Sequence, residues 1–288
     1  MKRRRFLQIL ASTAVMGRPS QAGQDWSGQG FGADLSLKLA GNGDRKTVLS
    51  ELPALIKKIE AEFSLYDPAS SLSKLNREGS LTPSPMFLDL LDRIETIHAL
   101  TGGIFDPTVQ GIWQQRTGQI STPIIGWGHL RLSSGSLILP PTCALTFNGI
   151  AQGYAADCVK RLLLDNGYTK ALVDLGEQYA LGGPWTIGVA DPSHGQLATY
   201  KLSNIAIATS SPQATMVAGF QHLINPTGSS PLWSTVSVEA REAVLADGIS
   251  TAAVFMPIAD LNALMERAPS VRRITLVDFD GSLRTLKS

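Results

Sequence analysis

Apolar positions along the chain fall into three helical stripes and a series of shorter alternating runs. Leu49, Leu52, Leu55, Ile56, Ile59 and Phe63 recur at intervals of three and four, the repeat of one helix face, and predict a helix despite Pro53 in its early turns. A second stripe, Phe87, Leu88, Leu91, Ile94 and Ile97, opens behind Ser84 as a cap and stops at Thr101-Gly102-Gly103. The third carries Ala155, Val159, Leu162 and Leu163 and ends at Asn166-Gly167. Between and after them FGADLSLKLAG, KALVDLG, WTIGVA, TYKLSN, IAIAT, TVSVEA and RRITLVDF read as strands. Strands and helices alternate without a strict βαβα rhythm and without a long repeat. The pattern predicts one α+β domain, a mixed sheet with helices packed on it.

Composition narrows the reading. With 288 residues, 43% of them hydrophobic and 17% charged, the chain can bury a sizeable core. A formal net charge of +1 gives no basic field for nucleic acid, so any anionic ligand must be held by local groups. The opening MKRRRFLQILASTAVMGRPSQA joins a basic start to an apolar run from Phe6 to Met16 and small residues at Ser20 and Ala22. Residues 1–22 therefore read as a secretory signal, of twin-arginine type from Arg3, Arg4, Phe6, Leu7 and Gln8, and the run is short of the ~20 residues a membrane span needs. The expected location is the periplasm. Residues 23–30 read as a linker, leaving 31–288 as the domain. Cys143 and Cys158 are too few for a disulfide scaffold and read as two buried free thiols, ahead of a bridge or a metal pair.

Four stretches carry candidate chemistry. In TFNGIAQGYAADCV, Thr146 to Val159, a strand-like end runs into a helix past Gly149 and Gly153. A helix entrance with small residues offers unpaired N–H groups to an anion, although the pattern matches no standard phosphate loop. In LADGISTAAVFM, Asp247 and Thr251 stand four apart, so on a helix they share a face on which a carboxylate and a hydroxyl can meet a hard cation. QHLINPTGSSP sets His222 beside a Pro-Thr-Gly turn as a candidate acid or base. FSLYDPASSLSKLNREG offers Tyr66 as an aromatic face, with Ser70, Ser73 and Asn76 as neutral donors.

Taken together these stretches resemble the ApbE family of FAD:protein FMN transferases over essentially all of the mature length. FSLYDPASSLSKLN is similar to that family's Y-x-P-x-S-x-[ILV]-S-x-L-N motif, and GGIFDPTV at Gly102 to Val109 to its G-G-x-F-D-P-T-V. TFNGIAQGYAAD, HLINPTG and ADGIST are similar to three more, in the family's order. The resemblance implies that FAD is cleaved at its pyrophosphate and that FMN is joined by a phosphoester to a threonine or serine of an acceptor flavoprotein, with Mg2+ assisting. The implied acceptor is an exported or membrane protein, of a respiratory complex. By the same resemblance Asp247, Thr251, Ser250 and the carbonyl of Gly149 hold the metal. Asp247 and His222 serve catalysis, while Phe31, Tyr66, Ile104, Phe105, Asp106, Thr146, Gln152 and His222 line the FAD site. The missing side chain at Gly149 is expected to make room for the pyrophosphate, and that at Gly153 to keep its helix close to the sheet. A hydrolase releasing FMN and AMP, or a flavin-binding chaperone without activity, are the alternatives.

Three positions depart from the family's motifs. Gln152 stands where lysine is usual, and Thr146 and Asn225 where aspartates are. In ALVDLGEQYALGG, Glu177 occupies the place of a common second glycine, which resembles a shorter exported subgroup that includes the NosX type.

Overall fold

Alternation along ADLSLKLA buries Ala33, Leu35 and Leu37 on one face. That face fixes the register, because a slip of one residue would turn all three to solvent. In the computed structural model, which describes residues 25–120, 122–217 and 219–288, this strand lies between Trp26–Gly30 and Lys170–Asp174. The sheet continues through Gln178–Leu181, Ile205–Ser210, Thr235–Ala240, Val271–Val277 and Leu283–Lys287, eight strands in chain order. The expected α+β fold stands. Its large sheet, however, is antiparallel between all neighbours rather than mixed.

The linker expected over 23–30 is corrected in its second half. Trp26–Gly30 is an edge strand, and it turns back through Phe31 and Gly32, both at positive φ (51 and 75°), the backbone of a tight two-residue hairpin. Its glycines are there for close packing rather than looseness: a Cβ on Gly28 would stand 2.6 Å from the Trp26 ring, and one on Gly30 2.9 Å from Leu35. The signal segment 1–22 lies outside the described residues.

Among the described residues seven helices accompany the sheet: α1 (Arg45–Phe63), α2 (Ser71–Glu78), α3 (Pro85–Leu100), α4 (Gln110–Arg116), α5 (Ala151–Asp165), α6 (Ala243–Ala253) and α7 (Ile258–Arg267). The stripes predicted for α1, α3 and α5 are buried at Leu52, Ile56 and Ile59, at Phe87, Leu91 and Ile94, and at Ala155, Val159 and Leu163. Ser84 caps α3 by accepting the N–H of Phe87, with Pro85 behind it. α5 and α6 lie on the sheet within the main core. A hairpin of Trp185–Asp191 and Gly195–Leu202 builds a smaller core from Ile187, Val189 and Leu202 against Ala180, Ile205 and Ile207.

Gly153 serves a different contact from the one expected. Any Cβ there would run into the carbonyl of Ala243 and the side chain of Asp247, so the glycine lets α5 approach α6 rather than the sheet. Gly248 does the same for α6 on α3, since its Cβ would stand 2.8 Å from Ile97. Both cysteines are free, Cys143 buried and Cys158 half-buried, and burial pushes each thiol up to about 11. Among the described residues no helix is long and apolar enough to cross a membrane.

Candidate active site

The N-terminus of α5 has no cap of its own, because Ile150 stands at the capping position and offers no side-chain acceptor. Asp247, in the middle of α6, supplies it: the N–H of Gly153 donates to Asp247 Oδ2 at 2.9 Å. α6 likewise lacks a side-chain cap at Glu242, and Asp157 of α5 accepts the N–H of Val244 at 2.9 Å. The two helices thus finish each other's first turns with carboxylates, the sign of charge a helix N-terminus favours. Burial opposes both charges. It pushes Asp247 up to about 7 and Asp157 up to about 6, against the pull of the N–H groups they accept.

One helical turn after Asp247, Thr251 donates its hydroxyl to the carbonyl of Gly149 over 3.4 Å. A Cβ on Gly149 would stand 2.8 Å from Thr251 Oγ1 and 2.9 Å from its methyl. The space that the glycine opens is therefore filled by Thr251, not left for a ligand as expected. Asp247 and Thr251 share a side of α6, as their spacing predicts, and Gly149 meets Thr251 there, forming one corner. Ser250 is not part of it: its hydroxyl donates to the carbonyl of Asp247 and pairs with Ser210 at 2.8 Å, fully buried. Its neighbour on the helix turns it a third of a turn away, toward the sheet.

This corner opens on a cleft of about 600 Å3. One wall carries Tyr66, Ile104, Phe105 and Asp106, and the helix entrance contributes Thr146, Gly149 and Gln152; His222, Asp247 and Thr251 complete the predicted set. Phe31 is not on this cleft. It lines a side cavity of about 110 Å3 that shares Tyr66, Asn148 and Gln152 with it. Tyr66 is 43% exposed, and its hydroxyl meets the Asn148 side chain.

Several expected donors have partners of their own. Ser70 and Ser73 both donate to the carbonyl of Ser64, and Asn76 clamps the backbone of Leu145 through its amide N and O at 2.8 and 2.7 Å. The two serines thus spend their hydroxyls on the loop that presents Tyr66, whereas Asn76, which lines the cleft with Ser73, keeps a second amide hydrogen. Asp106 accepts from the N–H and hydroxyl of Thr108 and from the N–H of Trp127, so it shapes the wall by capping the turn at Pro107–Val109. Asn225 lies behind the cleft, where its Oδ1 accepts the N–H and hydroxyl of Thr227 at 2.8 Å each. That turn needs a single oxygen acceptor, which an amide provides as well as the usual carboxylate.

His222 Nδ1 lies 3.2 Å from the carbonyl of Thr215. The carbonyl of Pro212 also accepts from the ring; a carbonyl only accepts, so these two hold the ring's proton. Burial lowers the histidine below its ordinary 6.5, which keeps the ring neutral near pH 7.

Among the cleft residues that escaped the sequence reading of the site, two carry charge of consequence. Glu177 lines it, 9% exposed, with Oε2 accepting the N–H of Thr209 at 3.1 Å; burial and the nearby Asp247 carboxylate push it well up. Arg77 brings a cation to the same cleft while donating to the carbonyl of Pro68; it directly follows the Ser-Lys-Leu-Asn stretch, a signal that was available. Among the described residues no group of three or more His, Cys, Asp or Glu is gathered for a metal. The oxygen donors of Asp247, Thr251 and Gly149 suit a hard cation that completes its shell with water and phosphate oxygens.

The chain is similar over nearly its whole length to proteins of known activity. FAD:protein FMN transferases of Vibrio cholerae and Chlamydia pneumoniae are both 25% identical to it, over 88% and 77% of this chain and 88% and 78% of theirs. Among solved structures, the flavin transferase ApbE from Vibrio cholerae superposes with a TM-score of 0.77 at 22% identity, covering 91% of this chain and 96% of that one. The apo form of the Pseudomonas stutzeri flavinyl transferase ApbE gives 0.76 at 23%, over 91% and 93%. The model of the ApbE family matches residues 31–275, which takes in every motif that lines the cleft, and the chain belongs to the ApbE family.

Proposed function

We propose that this chain is an FAD:protein FMN transferase that uses Mg2+ and modifies a threonine or serine of an exported acceptor flavoprotein. The observation that carries the reading is the convergence on one cleft of a hydroxyl-carboxylate-carbonyl corner at Thr251, Asp247 and Gly149, an exposed aromatic face at Tyr66 and a neutral histidine at His222. A volume of about 600 Å3 is in the range of sites that enclose a large organic ligand.

In this reading the flavin lies toward Tyr66 and Ile104, and the pyrophosphate lies at the corner. Asp247, Thr251 and the Gly149 carbonyl would hold Mg2+, with Asp247's second oxygen taking no hydrogen bond from the described residues. A bound Mg2+ supplies charge neutralisation for the pyrophosphate and the departing phosphate. The acceptor's hydroxyl oxygen forms a bond to the phosphorus on the FMN side, the bridging P–O bond breaks, and AMP leaves. The hydroxyl proton needs a base, and the neutral His222 ring carries a lone pair on the same cleft. Export fits the reading: residues 1–22 have the composition of a twin-arginine signal, and we propose a periplasmic site of action with a respiratory membrane complex as the acceptor's setting.

The test is to incubate the protein with FAD, Mg2+ and an acceptor domain and to follow intact mass and AMP. Addition of one FMN to the acceptor with one AMP released supports the reading. AMP and free FMN with no adduct would mean a hydrolase, and bound intact FAD without AMP a flavin carrier; either result sinks it.

A further inference from the structure

Glu177 enters the cleft from the turn between the strands Lys170–Asp174 and Gln178–Leu181, next to Gly176 at φ 97°. One of its oxygens is anchored by the N–H of Thr209. The other takes no hydrogen bond from the described residues, as is true of the second oxygen of Asp247. Both side chains are at least nine-tenths buried, and both line the same cleft.

Among the described residues no cation forms an ion pair with either carboxylate, although Arg77 lines the same cleft. The side chain packed against Gly176 is the neutral Gln152, where relatives usually have lysine. Two buried carboxylates on one cleft are costly unless a cation or a proton joins them.

We propose that Glu177 is a second carboxylate for the divalent cation, so that this chain holds it with Glu177, Asp247, the Thr251 hydroxyl and the Gly149 carbonyl. The inference rests on the cation site of the proposed function and extends it. A donor set of charge −2 matches a divalent ion, and affinity for hard cations rises with the number of charged ligands. The cation therefore binds before FAD rather than only with it, and the loss of lysine at 152 leaves Glu177 free for this role.

The probe is Mn2+, titrated into metal-free full-length protein without FAD and followed by the loss of its free-ion EPR signal. Wild type is compared with Glu177→Gln, Glu177→Gly and Asp247→Asn, and each is melted in EDTA. The expected result is one Mn2+ bound by wild type, with affinity weakened about tenfold or more in both Glu177 variants. Their melting in EDTA should match wild type or exceed it, since one costly buried carboxylate is gone. Unchanged Mn2+ affinity in both variants, with loss in Asp247→Asn, overturns the role of Glu177 and leaves the cation corner standing. Melting well below wild type in EDTA for both variants makes Glu177 a structural anchor of Thr209 and also overturns it. No Mn2+ binding by wild type, with or without FAD, overturns this inference and the cation reading together.

Discussion

Asp247 Oδ2 accepts the N–H of Gly153 at 2.9 Å, so a single buried carboxylate both finishes the first turn of α5 and faces the cleft. The two tasks can be separated. Asp247→Asn keeps an oxygen for Gly153 and loses the charge, whereas Asp247→Ala loses both. We expect the alanine variant to lose about 1 kcal/mol of stability, the usual worth of an N-terminal cap, and the asparagine variant to stay close to wild type. FMN transfer should fall at least about a hundredfold in both. Denaturant melts and single-turnover AMP release measure the two effects. Near-normal transfer in Asp247→Asn would remove the carboxylate from the chemistry.

The partner cap, Asp157, allows a test against pH. Burial raises its carboxyl from 3.8 to about 6 in the folded chain, and one oxygen is left without a partner. Between these values the folded state binds more protons than the unfolded one, so this group's contribution is fully present below about 3.8 and is lost as pH rises through 6. Asp157→Asn retains an acceptor for Val244 and removes the titration. Its stability should therefore fall less than that of wild type between pH 4 and pH 7, and Asp157→Ala should cost about 1 kcal/mol through the lost cap. Melting temperature against pH for the three proteins checks this; identical slopes in wild type and Asp157→Asn would exclude the assignment.

How far the sequence carries the argument is visible in these same residues. The four-residue spacing of Asp247 and Thr251 is a local fact, and the α6 helix honours it. Ser250 is adjacent in sequence, yet helix geometry turns it to Ser210, which belongs to a strand 40 residues earlier. Gly149 and Gly153 announce close approaches, but not to what: Thr251 and Ala243 reach them only through the packing of α5 on α6. The donors of Ser70, Ser73 and Asn76 look available in the sequence because their acceptors, the carbonyls of Ser64 and Leu145, leave no side-chain signature. The strand Trp26–Gly30 was hidden for a similar reason, since its glycines satisfy a neighbour's bulk rather than a turn. What was legible is periodicity and motif; partners supplied by distant backbone were not.

His222 gives the chemistry a pH signature. Burial holds it below 6.5, so the neutral ring persists to a lower pH than an ordinary histidine's. We expect kcat for transfer to decline on the acid side with an apparent pKa under 6.5, and His222→Ala to lose about 10²- to 10⁴-fold in kcat, the range for a general base, with the acid limb abolished. FAD affinity, to which His222 contributes as a wall of the cleft, should fall less than kcat. The linked stability runs the same way: the unfolded chain binds the extra proton in the window below 6.5, so stability falls as pH drops through it, and the alanine variant lacks that loss. An acid limb that survives in His222→Ala would assign the base elsewhere.

The last prediction concerns Gln152, whose amide packs against Gly176 beside Glu177. A lysine there would bring an ammonium within reach of a buried carboxylate and of the FAD phosphates. On the exposed side of such a cleft its attraction for the phosphates is worth on the order of 1 kcal/mol. Gln152→Lys should therefore tighten FAD by about two- to tenfold without a matching gain in turnover, and weaken Mn2+ because the ammonium competes for Glu177. Thr146 now spends its backbone N–H on the carbonyl of Pro107 and accepts the N–H of Asn148, so Thr146→Asp adds a carboxylate without removing the backbone tie. In a working enzyme adapted to glutamine, the double variant Gln152→Lys with Thr146→Asp should transfer FMN no faster than wild type. Flavin titration and transfer assays on the three proteins decide it: an inactive wild type strongly rescued by the double variant would make the natural chain a flavin carrier instead.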